Sequence, residues 1–328
     1  MKFYTRPGMK KLACRGSQES NHNGGKCRNM KYRLLSWLPK LNIFLMCVAL
    51  SVCTLSCSPE EHVASYIESR EMAPPIDEPP SFKVVGHRGY GLATPENTLA
   101  ALRRSIQENV KVVEVDIRLT SDGVPVLLHD ESLYRTTGDR HRVSELALAE
   151  VKKLNAGSYK SIEFMEERIP TLEEALLLAR GNLKMLLHMK LPGSGPVIAD
   201  VIRKTAFPAA DIWVMSDELD TVSAMGHLVP GARLVHLVFE LPSGNAAQQA
   251  FVRKEQTVRA ALAALSLDVP DEDYIIAAHR AGLKVLFWTA DHPYDSVEVD
   301  RFTCDGVITN KPLMWEDWAA RIRGGKGS

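Results

Sequence analysis

The chain has 328 residues, of which 45% are apolar, so it is long enough for one large domain or two ordinary ones with a full core. Its formal charge is zero, but residues 1–57 hold ten Lys or Arg and one Glu, which leaves 30 basic and 39 acidic residues in the remainder. A net charge of −9 over that remainder argues against a nucleic acid as partner.

The basic N-terminus leads into an uncharged apolar run, Ile43 to Cys57. As a helix this run would rise about 22 Å, which is short of a bilayer core of about 30 Å. A charged start, a short apolar stretch and small residues before a boundary are typical of a signal peptide. The residues before Cys57 resemble a bacterial lipoprotein cleavage site, although Thr54 stands where Leu is usual. We therefore expect lipid on Cys57; an ordinary cleaved signal and a true membrane anchor are the alternatives.

Composition divides the chain into four predicted parts: a basic leader with a lipoprotein-type signal peptide at 1–57, a Pro-rich acidic linker at 58–82, the folded domain at 83–318, and a C-terminal tail at 319–328. We expect an exported lipoprotein at the cell envelope, on the periplasmic side or at the cell surface. If Cys57 carries lipid, Cys304 is the only thiol left in the folded part, which excludes a disulfide framework. We predict that Cys304 is a small core residue.

From Lys83 the chain alternates short apolar runs with amphipathic stretches, which predicts α/β structure with parallel strands. Helices are predicted between the strands, including Asn97–Glu108 and Thr171–Ala179, with further N-caps at Asp217 and Asp271. Eight parallel strands in about 250 residues fit a closed (β/α)8 TIM barrel. The predicted strands are Val84–Arg88, Val112–Arg118, Lys184–Lys190, Asp211–Ser216, Arg233–Phe239, Ala264–Val269, Lys284–Thr289 and Gly306–Asn310.

The segment after the second strand breaks this alternation, because no helix fits in the short gap that follows. Asp122-Gly123 between two apolar runs predicts a β-hairpin extension. A two-residue loop would place Asp116 opposite His129, with Cβ atoms about 5 Å apart, and a longer loop would shift this register by one or two residues. Glu114 projects to the same side as Asp116. The hairpin therefore brings His129 back to the acidic pair, and a small insertion precedes the second barrel helix.

Charged and imidazole side chains occur inside these otherwise apolar strands, where a buried charge needs a partner or a metal ion. In a barrel the C-terminal strand ends converge on the active site. Two carboxylates on one strand face suit a divalent cation, two histidines suit acid–base chemistry, and the flanking Arg and Lys suit an anion such as phosphate. This combination predicts phosphodiester cleavage. The four clusters are His87-Arg88-Gly89, Glu114-Val115-Asp116, His129-Asp130 and His188-Met189-Lys190.

The motifs that hold these clusters resemble the glycerophosphodiester phosphodiesterase family over residues 83–312. That resemblance implies a TIM barrel that hydrolyses glycerophosphodiesters to glycerol phosphate and an alcohol with Mg²⁺ or Ca²⁺. The matching motifs are Gly86-His87-Arg88-Gly89, Pro95-Glu96-Asn97-Thr98, Glu114-Val115-Asp116, Asp122 to Val126, His129-Asp130, Arg135 to Gly138, Ile169 to Leu172, Trp288-Thr289 and Gly306 to Thr309.

The resemblance also implies a role for each member of the clusters: the acid–base pair His87 and His129, the metal ligands Glu114 and Asp116, and the phosphate contacts Arg88 and Lys190. Asn97 either caps the first helix, which we favour, or contacts the site. Glu96 either orients a neighbour or forms a surface ion pair. Trp288 either walls the glycerol pocket or belongs to the core.

Two positions depart from the family pattern. His188 stands where the family usually carries a third carboxylate ligand. Its imidazole removes one negative charge and adds a borderline-soft nitrogen, which weakens the case for Ca²⁺ and favours Mn²⁺, Zn²⁺ or another transition ion. The alternative is that His188 marks lost activity. Asn310 stands where an acidic residue is common, and we predict a structural role for it.

Three functions remain open from the residues. The leading one is metal-dependent hydrolysis of a small-molecule glycerophosphodiester by an exported enzyme that a lipid anchor holds at the membrane. The second is a phosphodiesterase of the same fold with other substrates, similar to sphingomyelinase D or the phosphatidylinositol-specific phospholipases. The third is a phosphoester-binding lipoprotein with a weakened site, because fold does not determine function.

Overall fold

The computed structural model describes residues 82–324, with side chains through Arg321. The predicted leader, Cys57 and almost all of the predicted linker lie outside these residues and stay predictions. Within residues 82–324, no helix combines the length and apolar character that crossing a bilayer requires.

Eight parallel strands close into a barrel, as predicted, and a ninth strand extends it as an antiparallel hairpin. The order around the barrel is β1-β9-β8-β7-β6-β5-β4-β2, where β1 pairs with β2 to close it and β3 pairs with β2 alone. The strands are β1 Lys83–Gly86, β2 Val112–Leu119, β3 Pro125–Leu127, β4 Lys184–Met189, β5 Ile212–Ser216, β6 Arg233–Val238, β7 Leu262–Ser266, β8 Lys284–Trp288 and β9 Gly306–Thr309.

Helices follow the strands and cover the barrel from outside. They are α1 Leu99–Gln107, α2 Tyr134–Thr137, α3 Leu148–Val151, α4 Leu172–Ala179, α5 Gly195–Lys204, α6 Leu219–Leu228, α7 Asn245–Thr257, α8 Glu272–Arg280, α9 Asp295–Arg301 and α10 Pro312–Gly324. Short α2 and α3 belong to the predicted insertion, which has its own small apolar cluster. The predicted domain end at residue 318 falls inside α10, where Ala319 is buried.

Several predicted boundaries need correction. β7 begins two residues earlier than predicted, and it ends earlier because the amide of Asp268 donates to the Ser266 hydroxyl and the chain turns there. The N-cap of α6 is Glu218 and not Asp217. The predicted capping box that opens α4 is confirmed, as is the cap by Asp271 on α8.

Along each strand, successive side chains face alternately the barrel interior and the surrounding helices. The interior is filled by apolar side chains: Val85, Val112, Leu186, Trp213, Met215, Val235, Leu237, Leu262, Ala264, Leu286 and Ile308. Glu114 and Asp116 alternate with outward-facing residues in the same way as Val112, and His188 does so in the same way as Leu186. All three therefore face the interior. Cys304 is a buried free thiol in the cluster under the helices, as predicted.

The predicted hairpin forms with the longer loop, which shifts its register by one residue from that of a two-residue loop. The loop has three residues and Gly123 in the left-handed region at φ +77°, so Asp116 bonds Leu128 rather than facing His129. Such a slip would turn His129 to the other face if the ladder continued. It reaches the barrel mouth because β3 ends at Leu127, and Arg118 Nε then donates to the carbonyl of His129 at 2.8 Å.

A buried polar cluster joins β6 to α7 and α8, away from the barrel mouth. Tyr274 donates its hydroxyl to the carboxyl group of Glu255 at 2.9 and 3.0 Å, and His236 Nδ1 lies 2.7 Å from the same group. All three side chains are buried. Their hydrogen bonds are thus made without competition from solvent.

Tyr274→Phe is expected to lower the free energy of unfolding by about 1.5–3 kcal/mol, because the carboxyl group keeps its burial and loses a donor. Urea unfolding followed by circular dichroism measures this change. Tyr134→Phe, which removes an exposed hydroxyl, should stay within about 0.5 kcal/mol of the parent chain. Equal stability of the two variants would contradict the importance of this cluster.

Candidate active site

The acidic pair of β2 lies inside the mouth of the barrel. The side chains of Glu114 and Asp116 are each 1% exposed. Glu114 Oε2 accepts the backbone N–H of Arg88 at 2.9 Å. That bond ties the end of β1 to β2 and positions the loop that carries His87. Both carboxylates thus project to the same side of β2, as predicted, and that side faces the barrel interior.

The Asn97 side chain forms hydrogen bonds with Asp116 instead of capping α1, which corrects the prediction that we favoured. Its Nδ2 donates to Asp116 Oδ2 at 2.9 Å, and its Oδ1 accepts the backbone N–H of Asp116 at 3.0 Å. Thr98 is the N-cap of α1. Asn97 has φ +55°, a left-handed conformation that Asn tolerates better than most residues. This conformation turns its amide inward and leaves the capping position to its neighbour.

Nitrogen atoms of three basic side chains surround Asp116. Lys190 Nζ lies 3.0 Å from Oδ1, His188 Nδ1 lies 3.2 Å from the same oxygen, and Arg88 Nε lies 3.5 Å from Oδ2. Burial alone would raise the pKa of Asp116, but His188, Lys190 and Arg88 together hold it well below its usual range. Asp116 is therefore ionised at neutral pH.

The cluster of Glu114, Asp116 and His188 fits a divalent cation. One ligand atom from each residue lies within 4.8 Å of the others. Glu114 Oε1 and Asp116 Oδ1 are buried oxygens without a well-aligned hydrogen-bond donor, despite the nearby nitrogens of His188 and Lys190. Two carboxylate oxygens with acceptor capacity to spare and one imidazole nitrogen form a reasonable ligand set for a divalent cation. His188 thus faces the same point as the carboxylates.

His87 lies just past the end of β1 at the edge of the acidic pair. Its Nε2 is 3.9 Å from Glu114 Oε2 and 3.3 Å from Arg88 Nε. Its Nδ1 is 3.0 Å from Asn310 Oδ1. Asn310 therefore contacts a candidate catalytic side chain, whereas the sequence predicts only a structural role for it.

His129 lines the same cleft as His87 and the acidic pair. Its Nδ1 lies 2.7 Å from Asp130 Oδ1. Burial lowers the pKa of His129, the charge of Asp116 raises it, and Arg88 lowers it again, so that the pKa is below its usual value. The hairpin and β1 together therefore bring the two predicted imidazoles to one cleft.

A chain of ion pairs connects Arg88 to His129 along the rim of the cleft. Arg88 donates to Glu96 Oε1 at 2.7 Å, Arg135 donates to both oxygens of Glu96 at 2.6 and 2.8 Å, and Arg135 Nε donates to Asp130 Oδ2 at 2.6 Å. Burial alone would raise the pKa of Asp130, but its bonds with Arg135 and His129 lower that pKa to about 2. Glu96 therefore orients a neighbour, one of its two predicted alternatives.

Glu96→Gln is expected to lower kcat about 10-fold, equivalent to about 1.4 kcal/mol, because Arg88 and Arg135 would face a neutral amide. Steady-state kinetics on a phosphodiester substrate measures the change. The matched control is Glu131→Gln, which breaks an exposed pair with Arg142 in the same insertion and should leave kcat unchanged. Equal kcat for the two variants would mean that the rim pairs do not position the cleft.

The wall opposite the charged residues is apolar. Met215, Leu237 and Ile308 rise from the barrel interior, and Phe239 meets the edge of Trp288 with ring centroids 5.3 Å apart. Trp288 Nε1 donates to the carbonyl of Ala264 at 3.0 Å. Trp288 both lines the cleft and packs on the core, and its role as a wall of the glycerol pocket stays a prediction. The cleft therefore has a charged side and an apolar side.

Sequence reasoning missed some polar residues of this region. Arg135 begins the motif that runs to Gly138, but nothing in that motif predicts its contact with Glu96. Asp291 had no signal at all, although its carboxylate accepts three hydrogen bonds from the end of β9. The predicted residues that the structure brings together are His87, Arg88, Glu96, Asn97, Glu114, Asp116, His129, His188, Lys190 and Trp288.

Comparison with known proteins gives a consistent result. The model of the glycerophosphoryl diester phosphodiesterase family matches residues 87–314. A glycerophosphodiester phosphodiesterase of Caldanaerobacter subterraneus is 29% identical over 235 residues, which cover 70% of this chain and 94% of the relative. Mouse glycerophosphodiester phosphodiesterase 1 is 44% identical over 109 residues, about a third of each chain. An Oleispira antarctica phosphodiesterase solved with its product sn-glycerol-3-phosphate superposes with TM-score 0.65 and 26% identity, covering 77% of this chain and 99% of that one.

Proposed function

Because the chain belongs to the glycerophosphoryl diester phosphodiesterase family, we propose that it hydrolyses glycerophosphodiesters to glycerol 3-phosphate and an alcohol. We propose further that a divalent cation and the two imidazoles of His87 and His129 carry the reaction. The observation that supports this most is the meeting of both imidazoles with the metal-ligand cluster in one cleft. A site with lost chemistry would not be expected to keep all of these groups.

The chain's own residues supply most of what the reaction needs. Arg88 and Lys190 lie beside Asp116 and give the cleft positive charge for the phosphate anion. Burial lowers the pKa of His129, which makes its protonated ring the stronger proton donor, and Asp130 orients that ring through Nδ1, whereas the partner of His87 is a neutral amide. This difference favours His129 as proton donor to the leaving alcohol and His87 as acceptor from the nucleophile.

Glu114, Asp116 and His188 would hold the cation. When bound, such an ion polarises a phosphoryl oxygen. The imidazole of His188 replaces a hard oxygen ligand, so we propose that Mn²⁺ or Zn²⁺ binds better than the Mg²⁺ or Ca²⁺ of the family pattern. His188→Glu should reverse this preference, because it adds a third carboxylate.

The test is a panel of substrates and metal ions with the purified chain. After chelation, glycerophosphocholine is supplied with Mg²⁺, Ca²⁺, Mn²⁺ or Zn²⁺, and the product is identified by phosphorus NMR. We expect glycerol 3-phosphate, most rapidly with Mn²⁺ or Zn²⁺. Titration calorimetry of ion binding to the parent chain and His188→Glu gives a second readout, and tighter Ca²⁺ binding by the parent chain would contradict the metal assignment.

Two other functions are outcomes of the same panel. Turnover of sphingomyelin or phosphatidylinositol in preference to glycerophosphocholine would favour the related phospholipases. Silence with every ion, together with turnover by His188→Glu, would favour a phosphoester-binding protein that lost activity at position 188. Export and lipid attachment at Cys57 also remain proposals, and mass spectrometry of the native N-terminus tests them.

A further inference from the structure

We propose that Asp291 is a positioning residue for His87. It acts through Asn310 to keep the His87 proton on Nδ1 and to leave Nε2 unprotonated toward the cleft. The inference rests on the proposed role of His87 as proton acceptor, but it concerns a residue on a different strand end. Asp291 belongs to no motif of the sequence that points to chemistry.

The carboxylate of Asp291 anchors Asn310 at both its main chain and its side chain. Oδ1 accepts the backbone N–H of Asn310 at 2.8 Å and the hydroxyl of Thr309 at 3.1 Å. Oδ2 accepts Asn310 Nδ2 at 2.7 Å. These three bonds join the segment after β8 to the end of β9. The Asn310 amide therefore has one orientation relative to the barrel.

The orientation of that amide follows from the chemistry of its partner. An ionised carboxylate only accepts hydrogen bonds, so the Asn310 atom that faces Asp291 must be the NH₂ group. The amide oxygen then faces His87 Nδ1 at 3.0 Å. Because a carbonyl oxygen accepts and never donates, Nδ1 must carry the proton. In the neutral ring Nε2 is then an acceptor, as its contact with the Arg88 Nε–H donor at 3.3 Å also requires.

The loop after β1 holds the amide from a third side. A Cβ atom built on Gly91 would lie 2.7 Å from Asn310 Oδ1 and 3.1 Å from the carbonyl of His87. The space beside the amide oxygen therefore has no room for a side chain at position 91. Asn310 has little freedom to move away from His87 while Gly91 and Asp291 stay in place.

Removal of the Asp291 charge should reverse this arrangement. In Asp291→Asn, the new Oδ1 still accepts the bonds from Thr309 and the Asn310 backbone, so its NH₂ group faces the NH₂ group of Asn310. A flip of the Asn310 amide relieves this contact and presents NH₂ to His87 Nδ1, which moves the His87 proton to Nε2. We expect kcat to fall about 10- to 100-fold, as for other residues that orient a reacting group. KM should change little.

A charge swap provides the sharpest test. Asn310→Asp alone places two carboxylates at the 2.7 Å contact and should lower kcat as well. The double variant Asp291→Asn with Asn310→Asp restores a donor opposite an acceptor, and Asp at position 310 still accepts from His87 Nδ1. We expect its kcat to return close to that of the parent chain. Nitrogen-15 NMR of the imidazoles, with the His87 signal assigned by its loss in His87→Gln, reports the tautomer in each variant.

A control at the opposite end of β9 separates positioning from stability. Asp305 holds His279 Nε2 and the Val285 N–H, each at 2.9 Å, much as Asp291 holds Asn310. Asp305→Asn should lower the melting temperature and leave kcat unchanged. This control identifies a loss in Asp291→Asn that follows from lower stability alone.

The inference is overturned if Asp291→Asn keeps both its kcat and an Nδ1-protonated His87. It is equally overturned if the folded double variant stays as slow as the single ones. Failure of the proposed function looks different, since His87→Ala would then turn over normally. If His87→Ala is inactive while Asp291→Asn keeps the kcat and the His87 tautomer of the parent chain, only the role of Asp291 is contradicted.

Discussion

His87→Ala and His129→Ala are each expected to lower kcat by about 10²- to 10⁴-fold, the usual range for loss of one proton-transfer group. Each imidazole lines the cleft beside the acidic pair, and each has its Nδ1 held by a dedicated partner. Neither ring belongs to the apolar core, so truncation should leave the barrel folded. Steady-state kinetics and circular dichroism spectra of both variants measure the two effects.

The matched control is His141→Ala, which removes an exposed imidazole paired with Asp139 in the insertion. It should retain the activity of the parent chain. Near-normal turnover in a purified, folded His87→Ala or His129→Ala would remove acid–base catalysis from the proposal. A leaving group that is already acidic, such as a nitrophenolate, should reduce the effect of His129→Ala and not that of His87→Ala, because it needs no proton from a donor.

Asp116→Asn is expected to weaken divalent-cation binding by at least about 100-fold and to abolish turnover with it. The change leaves Lys190, Arg88 and His188 without the carboxylate that they surround. It also puts an NH₂ group where either the cation or Asn97 Nδ2 must find an oxygen. Titration calorimetry measures ion binding independently of activity.

Asp130→Asn serves as the comparison, since it removes an ionised carboxylate of the same cleft region that lies outside the ligand cluster. It should slow turnover while ion affinity stays close to that of the parent chain. If Asp116→Asn binds the ion as tightly as Asp130→Asn does, Asp116 is no ligand and the metal site needs reassignment.

The barrel and its four polar clusters could be predicted from the sequence. Strands with interior and exterior faces leave an alternating apolar pattern, and charged residues such as Glu114 and Asp116 interrupt that pattern visibly. The capping box of α4 is equally local. Each of these signals depends on residues close together in the chain, so composition and spacing contain them.

The hydrogen-bond partners of the polar residues could not be predicted from the sequence in the same way. The sequence predicts Asn97 as a helix cap, because Asn commonly has that role before a helix. Its left-handed backbone conformation instead turns the side-chain amide to Asp116. The hairpin register depends on whether the Asp122-Gly123 turn closes with two or three residues. Turns of both lengths use glycine in the left-handed region, so the residue types alone do not decide between them.

The sequence by itself therefore determined the fold class, the polar strand ends and the chemistry that they could support. Only the tertiary structure decided that Asn310 touches His87, 223 positions away, and that Arg135 joins Glu96 to Asp130. The physical reason is that closure of the barrel selects the hydrogen-bond partners. It brings side chains that are distant in the sequence within hydrogen-bond distance of one another. Local propensity carries no information about such contacts.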